Sequence, residues 1–170
     1  MLRYGEITYN AMELGDDTSS PPPQSLIDHP IDRAVDHPWR LLVCDDSPIE
    51  SLALAHFLRG NGFVVEPSMD GESAVQLLLH RPIDLLILDL QMPGKDGFYV
   101  LTYLQKNRPG LPVILLSGMP IDEIQEHIRQ LPSRQLPPLL LKPVDPIQLL
   151  ELIDVELAGE LPAFPPFEDK

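Results

Sequence analysis

An α/β fold, with one parallel sheet covered by helices on both faces, is predicted by three features of the sequence. Short apolar runs bounded by turn signals recur through residues 39–157. They alternate with segments whose apolar residues repeat at helical spacing. The runs themselves are continuous in Leu, Ile and Val, the pattern that burial on both faces of a parallel sheet selects.

Each element has its own signal. The predicted strands are Arg40–Cys44, Phe63–Val65, Leu85–Leu88, Val113–Leu116 and Leu139–Leu141. A first helix is expected from Ser47-Pro48-Ile49-Glu50, which has capping-box spacing with proline at the first helical position. Ile49, Leu52, Ala53 and Phe57 would form its apolar stripe, and Gly60-Asn61-Gly62 its end. The second helix should run from about Gly71 to Leu79 and the third from about Gly97 to Gln105. Ile121, Ile124, Ile128 and Leu131 mark a fourth. Asp145-Pro146 caps a fifth, with Ile147, Leu150 and Ile153 or Asp154 at helical spacing. Five strands and five helices make a doubly wound sheet.

Composition limits what such a domain can do. The chain has 170 residues, about one domain's length, with 44% apolar and 22% charged side chains, enough to bury a core. Twenty-six acidic residues against 12 basic ones give a formal charge of −14, which argues against direct binding of nucleic acid or anionic lipid. One cysteine excludes an internal disulfide and a cysteine-built metal site, and fits a reducing, cytoplasmic setting. No apolar stretch reaches the ~18 residues of a membrane span, and the N-terminus has no secretory pattern. Residues 1–38 carry seven acidic and two basic side chains, the run Pro21-Pro22-Pro23 and a broken Asp-His-Pro repeat. They read as a largely irregular extension, and residues 158–170 as a proline-rich tail. Half of the net charge lies on these two ends.

In an open α/β sheet, ligands bind beyond the carboxyl ends of the strands. The residues there are Asp45-Asp46 after strand one, Asp89 after strand three, Ser117-Gly118 after strand four and Lys142-Pro143 after strand five. Three carboxylates converging on one edge need a counter-charge, and a hard divalent cation such as Mg²⁺ with oxygen ligands supplies it. Such a metal neutralises phosphate oxygens, Lys142 adds a point charge, and Ser117 a hydrogen bond. A carboxylate in that setting can itself be a nucleophile, giving an aspartyl-phosphate.

The segments LLVCDDSP, DLLILDLQMPGKDG, VILLSG and LLLKP resemble the receiver domain of two-component response regulators. The resemblance covers residues 39–157. It implies a five-stranded parallel sheet in order 2-1-3-4-5, the flavodoxin-like order of doubly wound sheets. It further implies that Asp89 is the phosphoacceptor, charged by a histidine kinase or phosphotransfer protein. Asp45, Asp46, Asp89 and the backbone carbonyl of Gln91 would hold Mg²⁺. Ser117 would be the switch hydroxyl, Lys142 the family's lysine, and Lys142-Pro143 a cis peptide. Gln91 and Met119 stand where the family tunes hydrolysis of the acyl phosphate. Neither is a strong base, so slow self-dephosphorylation is expected.

Two departures are visible. Leu139 stands where receivers commonly carry Tyr or Phe, and QLPSRQLPP before strand five is long and rich in proline. The second alters the face of helix four, strand five and helix five, which family members use for protein partners. The five histidines show no ligand spacing; His56 is expected to pack beside helix one, and Cys44 to be a buried small residue. LPAFPPF in the tail could be an extended groove ligand or simply fold back on helix five.

The expected function is that of a stand-alone receiver, because residues 158–170 are too few for an output domain. It would modify itself rather than turn over a separate substrate. A phosphorelay intermediate is the nearest variant. Two readings from other classes are an interaction module indifferent to phosphorylation and a phosphohydrolase of the haloacid-dehalogenase type. The latter normally carries Asp-x-Asp at strand one, where this chain has adjacent Asp45-Asp46.

Overall fold

The computed structural model describes residues 38–129 and 137–158. Ten elements alternate: β1 Arg40–Cys44, α1 Pro48–Gly60, β2 Val64–Ser68, α2 Gly71–His80, β3 Leu85–Asp89, α3 Gly97–Asn107, β4 Val113–Ser117, α4 Ile121–Arg129, β5 Leu139–Leu141 and α5 Pro146–Ala158. All neighbouring strands pair in parallel, in the order β2-β1-β3-β4-β5. The expected doubly wound sheet is therefore present, and Lys142-Pro143 is cis.

Strand side chains alternate between two cores, as the two-residue period requires. Leu42, Cys44, Leu86, Leu88 and Leu115 point to one face and pack under α2, α3 and α4. Leu41, Val43, Leu85, Ile87, Ile114 and Leu116 point to the other and pack under α1 and α5. Most are fully excluded from water, and each buried Leu or Ile contributes about 1.5–3 kcal/mol of transfer free energy.

Polar side chains cap the first three helices, the first of them at the predicted Ser47. Ser47 accepts from the Glu50 N–H, Asp70 from the Ser73 N–H and Asp96 from the Tyr99 N–H, opening α1, α2 and α3. The hydrogen bonds from Ser73, backbone and hydroxyl, hold the Asp70 carboxyl below its ordinary pKa. Only half of the capping box at α1 forms. The Ser47 N–H goes to Asp45 instead of to Glu50, whose carboxylate is used elsewhere.

Several expectations need correction. The stripe of Ile49, Leu52, Ala53 and Phe57 is not the buried face of α1: Ile49 is 82% exposed and Leu52 68%, while Ser51, Ala55 and Leu58 are buried. Ser51, Ala55 and Leu58 also lie at helical spacing, and small Ser51 and Ala55 let the helix approach the sheet closely. His56 is exposed on the outer face rather than packed. In α5 the buried residues are Leu149, Leu150 and Ile153, and Ile147 is exposed. Strand β2 begins at Val64 and continues through Glu66 and Pro67 to Ser68, because an edge strand tolerates polar residues and proline. Expectations for the two ends, for Leu131, for the Ile128 side chain and for residues 130–136 concern positions outside the described residues.

One acid on α5 opposes folding at neutral pH. Glu156, half-buried in α5, has a carboxylate oxygen without a hydrogen-bond partner among the described residues, and desolvation raises its pKa from 4.5 to about 6. The folded protein thus holds this proton more tightly than the unfolded chain. The Glu156 contribution is most favourable below pH 4.5 and is lost as pH rises through about 6. Glu156→Gln is expected to stabilise the protein by about 1 kcal/mol at pH 7.5, after discounting for partial solvation. The gain should vanish near pH 4, which urea titrations at the two pH values will check.

Candidate functional site

The register of the sheet brings the sequence-predicted residues to one edge. Asp89 is the last residue of β3 and pairs with Leu116, so Ser117 lies one step beyond it on β4. Ser117 in turn pairs with Leu141, which places Lys142 one step further on, its N–H bonded to the Ser117 carbonyl. Asp45 and Asp46 follow the end of β1, between β2 and β3.

Burial makes this edge electrostatically demanding. Asp45 and Asp89 are each 2% exposed, Ser117 is fully buried and Asp46 is half-buried. Oxygens of Asp45, Asp46 and Asp89 all lie within 4.8 Å of one another. The ammonium of Lys142 answers them, donating to Asp89 Oδ2 at 2.6 Å, Asp45 Oδ2 at 2.9 Å and Glu50 Oε2 at 2.9 Å. Burial acts against that charge, but the three acceptors outweigh it and the Lys142 pKa is raised. Burial also raises the pKa of Asp89, partly offset by Lys142 and by the Gln91 N–H donated to Asp89 Oδ1 at 2.8 Å.

Glu50 is the partner that sequence reasoning missed. Its spacing from Ser47 made it a capping residue, whereas in the fold it reaches across from α1 to Lys142. No local pattern links positions 50 and 142; only a fold that packs α1 beside α5, the helix that follows β5 and Lys142, does so. Next to this contact a cleft of about 580 Å³ opens, walled by Leu54, Phe57, Leu116 and Val144.

Other loop groups are already engaged. The Ser117 hydroxyl oxygen accepts from the Met119 N–H at 2.9 Å. The Gln91 side-chain oxygen accepts from the Gly118 N–H at 3.1 Å, joining the loops after β3 and β4. Cys44 is fully buried as expected; burial pushes its thiol up to about 12, and its sulfur lies 3.5 Å from Met92 Sδ. It is no nucleophile at neutral pH. Leu139 is half-buried against the α2–α4 core.

The donor set at the edge consists of carboxylate oxygens close enough to share one small hard cation, so it fits Mg²⁺. Together with Lys142 it can hold a group rich in negative oxygen. No helix among the described residues is long and apolar enough to cross a membrane.

Comparisons with known proteins agree with this geometry. Residues 41–154 match the family model for the response regulator receiver domain. The transcriptional regulatory protein GlrR of Escherichia coli is 33% identical over 128 residues, 74% of this chain but 28% of its own length. A probable transcriptional regulatory protein of Mycobacterium tuberculosis, TcrX, is 33% identical over 96 residues, 56% of this chain and 40% of its own. The chain thus spans well under half of these curated relatives. Among solved structures, a response regulator receiver protein from Pseudomonas putida superposes with a TM-score of 0.64 at 30% identity, over 72% of this chain and all of that one. A CheY-like receiver domain protein from Methanospirillum hungatei gives 0.65 at 24% identity, over 72% and 96%, and attests the fold. Buried acids, the lysine that balances them and the matching family model lead to one conclusion: this chain belongs to the response regulator receiver family of two-component systems.

Proposed function

We propose that Asp89 accepts a phosphoryl group from a phosphohistidine on a histidine kinase or phosphotransfer protein, and that the modified receiver changes its affinity for a protein partner. The observation that carries this is the buried Asp89 carboxylate, bonded at 2.6 Å to Lys142 inside the acidic cluster. One carboxylate oxygen of Asp89 would attack phosphorus as the phosphorus–nitrogen bond breaks, and the leaving imidazole keeps the electron pair and takes up a proton. Mg²⁺ held by Asp45, Asp46, Asp89 and the Gln91 carbonyl would neutralise phosphoryl oxygens. Lys142 and Ser117 would bind the remaining oxygens.

The donor has to approach the edge where the strands end. Exposed Ile49 and Leu52 at the start of α1 offer it an apolar surface there. The downstream partner is assigned to the α4–β5–α5 face, where Leu141 is half-exposed. The receiver unit is taken as residues 39–157, acting in the cytoplasm. Its acidic balance disfavours direct contact with nucleic acid.

Mass spectrometry after acetyl phosphate and Mg²⁺ tests the reading. The wild type should gain one phosphoryl group and Asp89→Asn none. An increment that persists in the variant overturns the assignment. Continuing turnover of a small phosphate ester would point to a hydrolase instead.

A further inference from the structure

The loops that flank Asp89 are tied together by the side chain of Gln91. Gln91 lies two residues beyond Asp89, and its amide oxygen takes the N–H of Gly118, the residue after Ser117. The bond therefore bridges the ends of β3 and β4, adjacent strands in which Asp89 pairs with Leu116. A phosphoryl group on Asp89 adds three oxygens in this region, and each can accept from more than one donor besides any cation it meets. Lys142 supplies one, and the Ser117 hydroxyl can supply another. A backbone donor just past the end of β4, the Gly118 N–H, is occupied by Gln91.

We propose that the Gln91 side chain is an internal competitor for the phosphoryl group: its amide oxygen holds the Gly118 N–H in the unphosphorylated protein and has to release it for the end of β4 to close on modified Asp89. Three features suit this role. The Gln91 side chain is exposed, so it can swing into water without leaving a buried polar group unpaired. The bond is neutral and 3.1 Å long, weak enough to yield to an anionic acceptor. And position 118 is an exposed glycine: a Cβ there would stand 3.0 Å from the Gln91 oxygen, the one heavy atom beyond its chain neighbours within 4 Å of it. Glycine thus leaves the space that the amide occupies.

Gln91 acts here as a positioning residue, and its role rests on phosphoryl uptake at Asp89. Two variants remove the bond in different ways. Gln91→Met keeps the length of the side chain but lacks the acceptor, and Gly118→Ala pushes the amide aside. Both should take up phosphoryl from acetyl phosphate with Mg²⁺ about three- to fivefold faster than wild type, the factor one exposed neutral hydrogen bond supplies. Gln91→Glu, which keeps an acceptor, should not be accelerated. Amide hydrogen exchange at Gly118, read by NMR without phosphoryl donor, should be slowed in wild type and fast in Gln91→Met. Equal exchange in the two proteins overturns the tie itself. Uptake that is unchanged or slower in both accelerated variants, with the wild type phosphorylated normally, overturns the competition. A wild type that is never phosphorylated overturns the Asp89 reading and the competition with it, while Gly118 exchange still reports whether the tie exists.

Discussion

Lys142→Met is expected to destabilise the protein by about 2–3 kcal/mol in the absence of divalent cations. The lysine is the shared counter-charge of Asp45 and Asp89, each 2% exposed. Methionine keeps much of the volume and removes the charge, so two buried carboxylates would face each other unbalanced. Removing one partner of a fully buried pair costs about 3–5 kcal/mol, and the lower figure reflects the partial exposure of the lysine and the freedom of Glu50 to turn into water. Chemical denaturation measures the loss. Adding Mg²⁺ should restore more stability to the variant than to wild type, because a cation at the carboxylates replaces the missing charge. Combining Lys142→Met with Asp89→Asn should also recover part of it, since only one buried acid then needs a partner. Equal stability of Lys142→Met and wild type would refute this account of the cluster.

Gly97→Ala should be comparably damaging, for a steric rather than an electrostatic reason. Gly97 is the first residue of α3, and a Cβ there would stand 2.5 Å from the Asp89 carbonyl oxygen and 2.7 Å from Leu90 Cα. Both neighbours are backbone of the strand end that carries the acidic site, so neither can swing aside. The methyl would push α3 off the sheet or displace Asp89, at a cost of about 2–4 kcal/mol and a fall in Tm of about 10 °C or more. Gly60→Ala is the control: no atom lies within 4 Å of its Cβ position, and in a helix alanine is the better residue. Thermal unfolding of the two variants should separate clearly, and similar Tm values would show that α3 has slack at its start.

The strands were legible because burial on both faces leaves so little freedom of composition. Leu85–Leu88 and Val113–Leu116 are continuous apolar runs, and the polar residues that end them fall at the site for that reason. Edge strand β2 was only half legible, since Glu66 and Pro67 look like a turn unless the strand is known to end the sheet of the described residues. The rotation of α1 was not legible. Two sets of residues have helical spacing, and what chooses Ser51, Ala55 and Leu58 is packing against the sheet rather than any local preference. The contact of Glu50 with Lys142 and that of Gln91 with Gly118 depend on which strand lies beside which. The family resemblance named the strand-end residues by position, but these two side-chain contacts belong to this sequence.

The outermost strands have a consequence for how this domain meets other molecules. Pro67 in β2 has no N–H to offer a further strand, and β5 at the opposite edge is only three residues long. Neither margin is a good template for extending the sheet, so edge-to-edge aggregation is discouraged even at high concentration. Association with another protein is left to side-chain surfaces on helices and loops, and under the proposed phosphorylation their shape and charge would respond to the modified strand end, as a continuous ladder of backbone bonds could not.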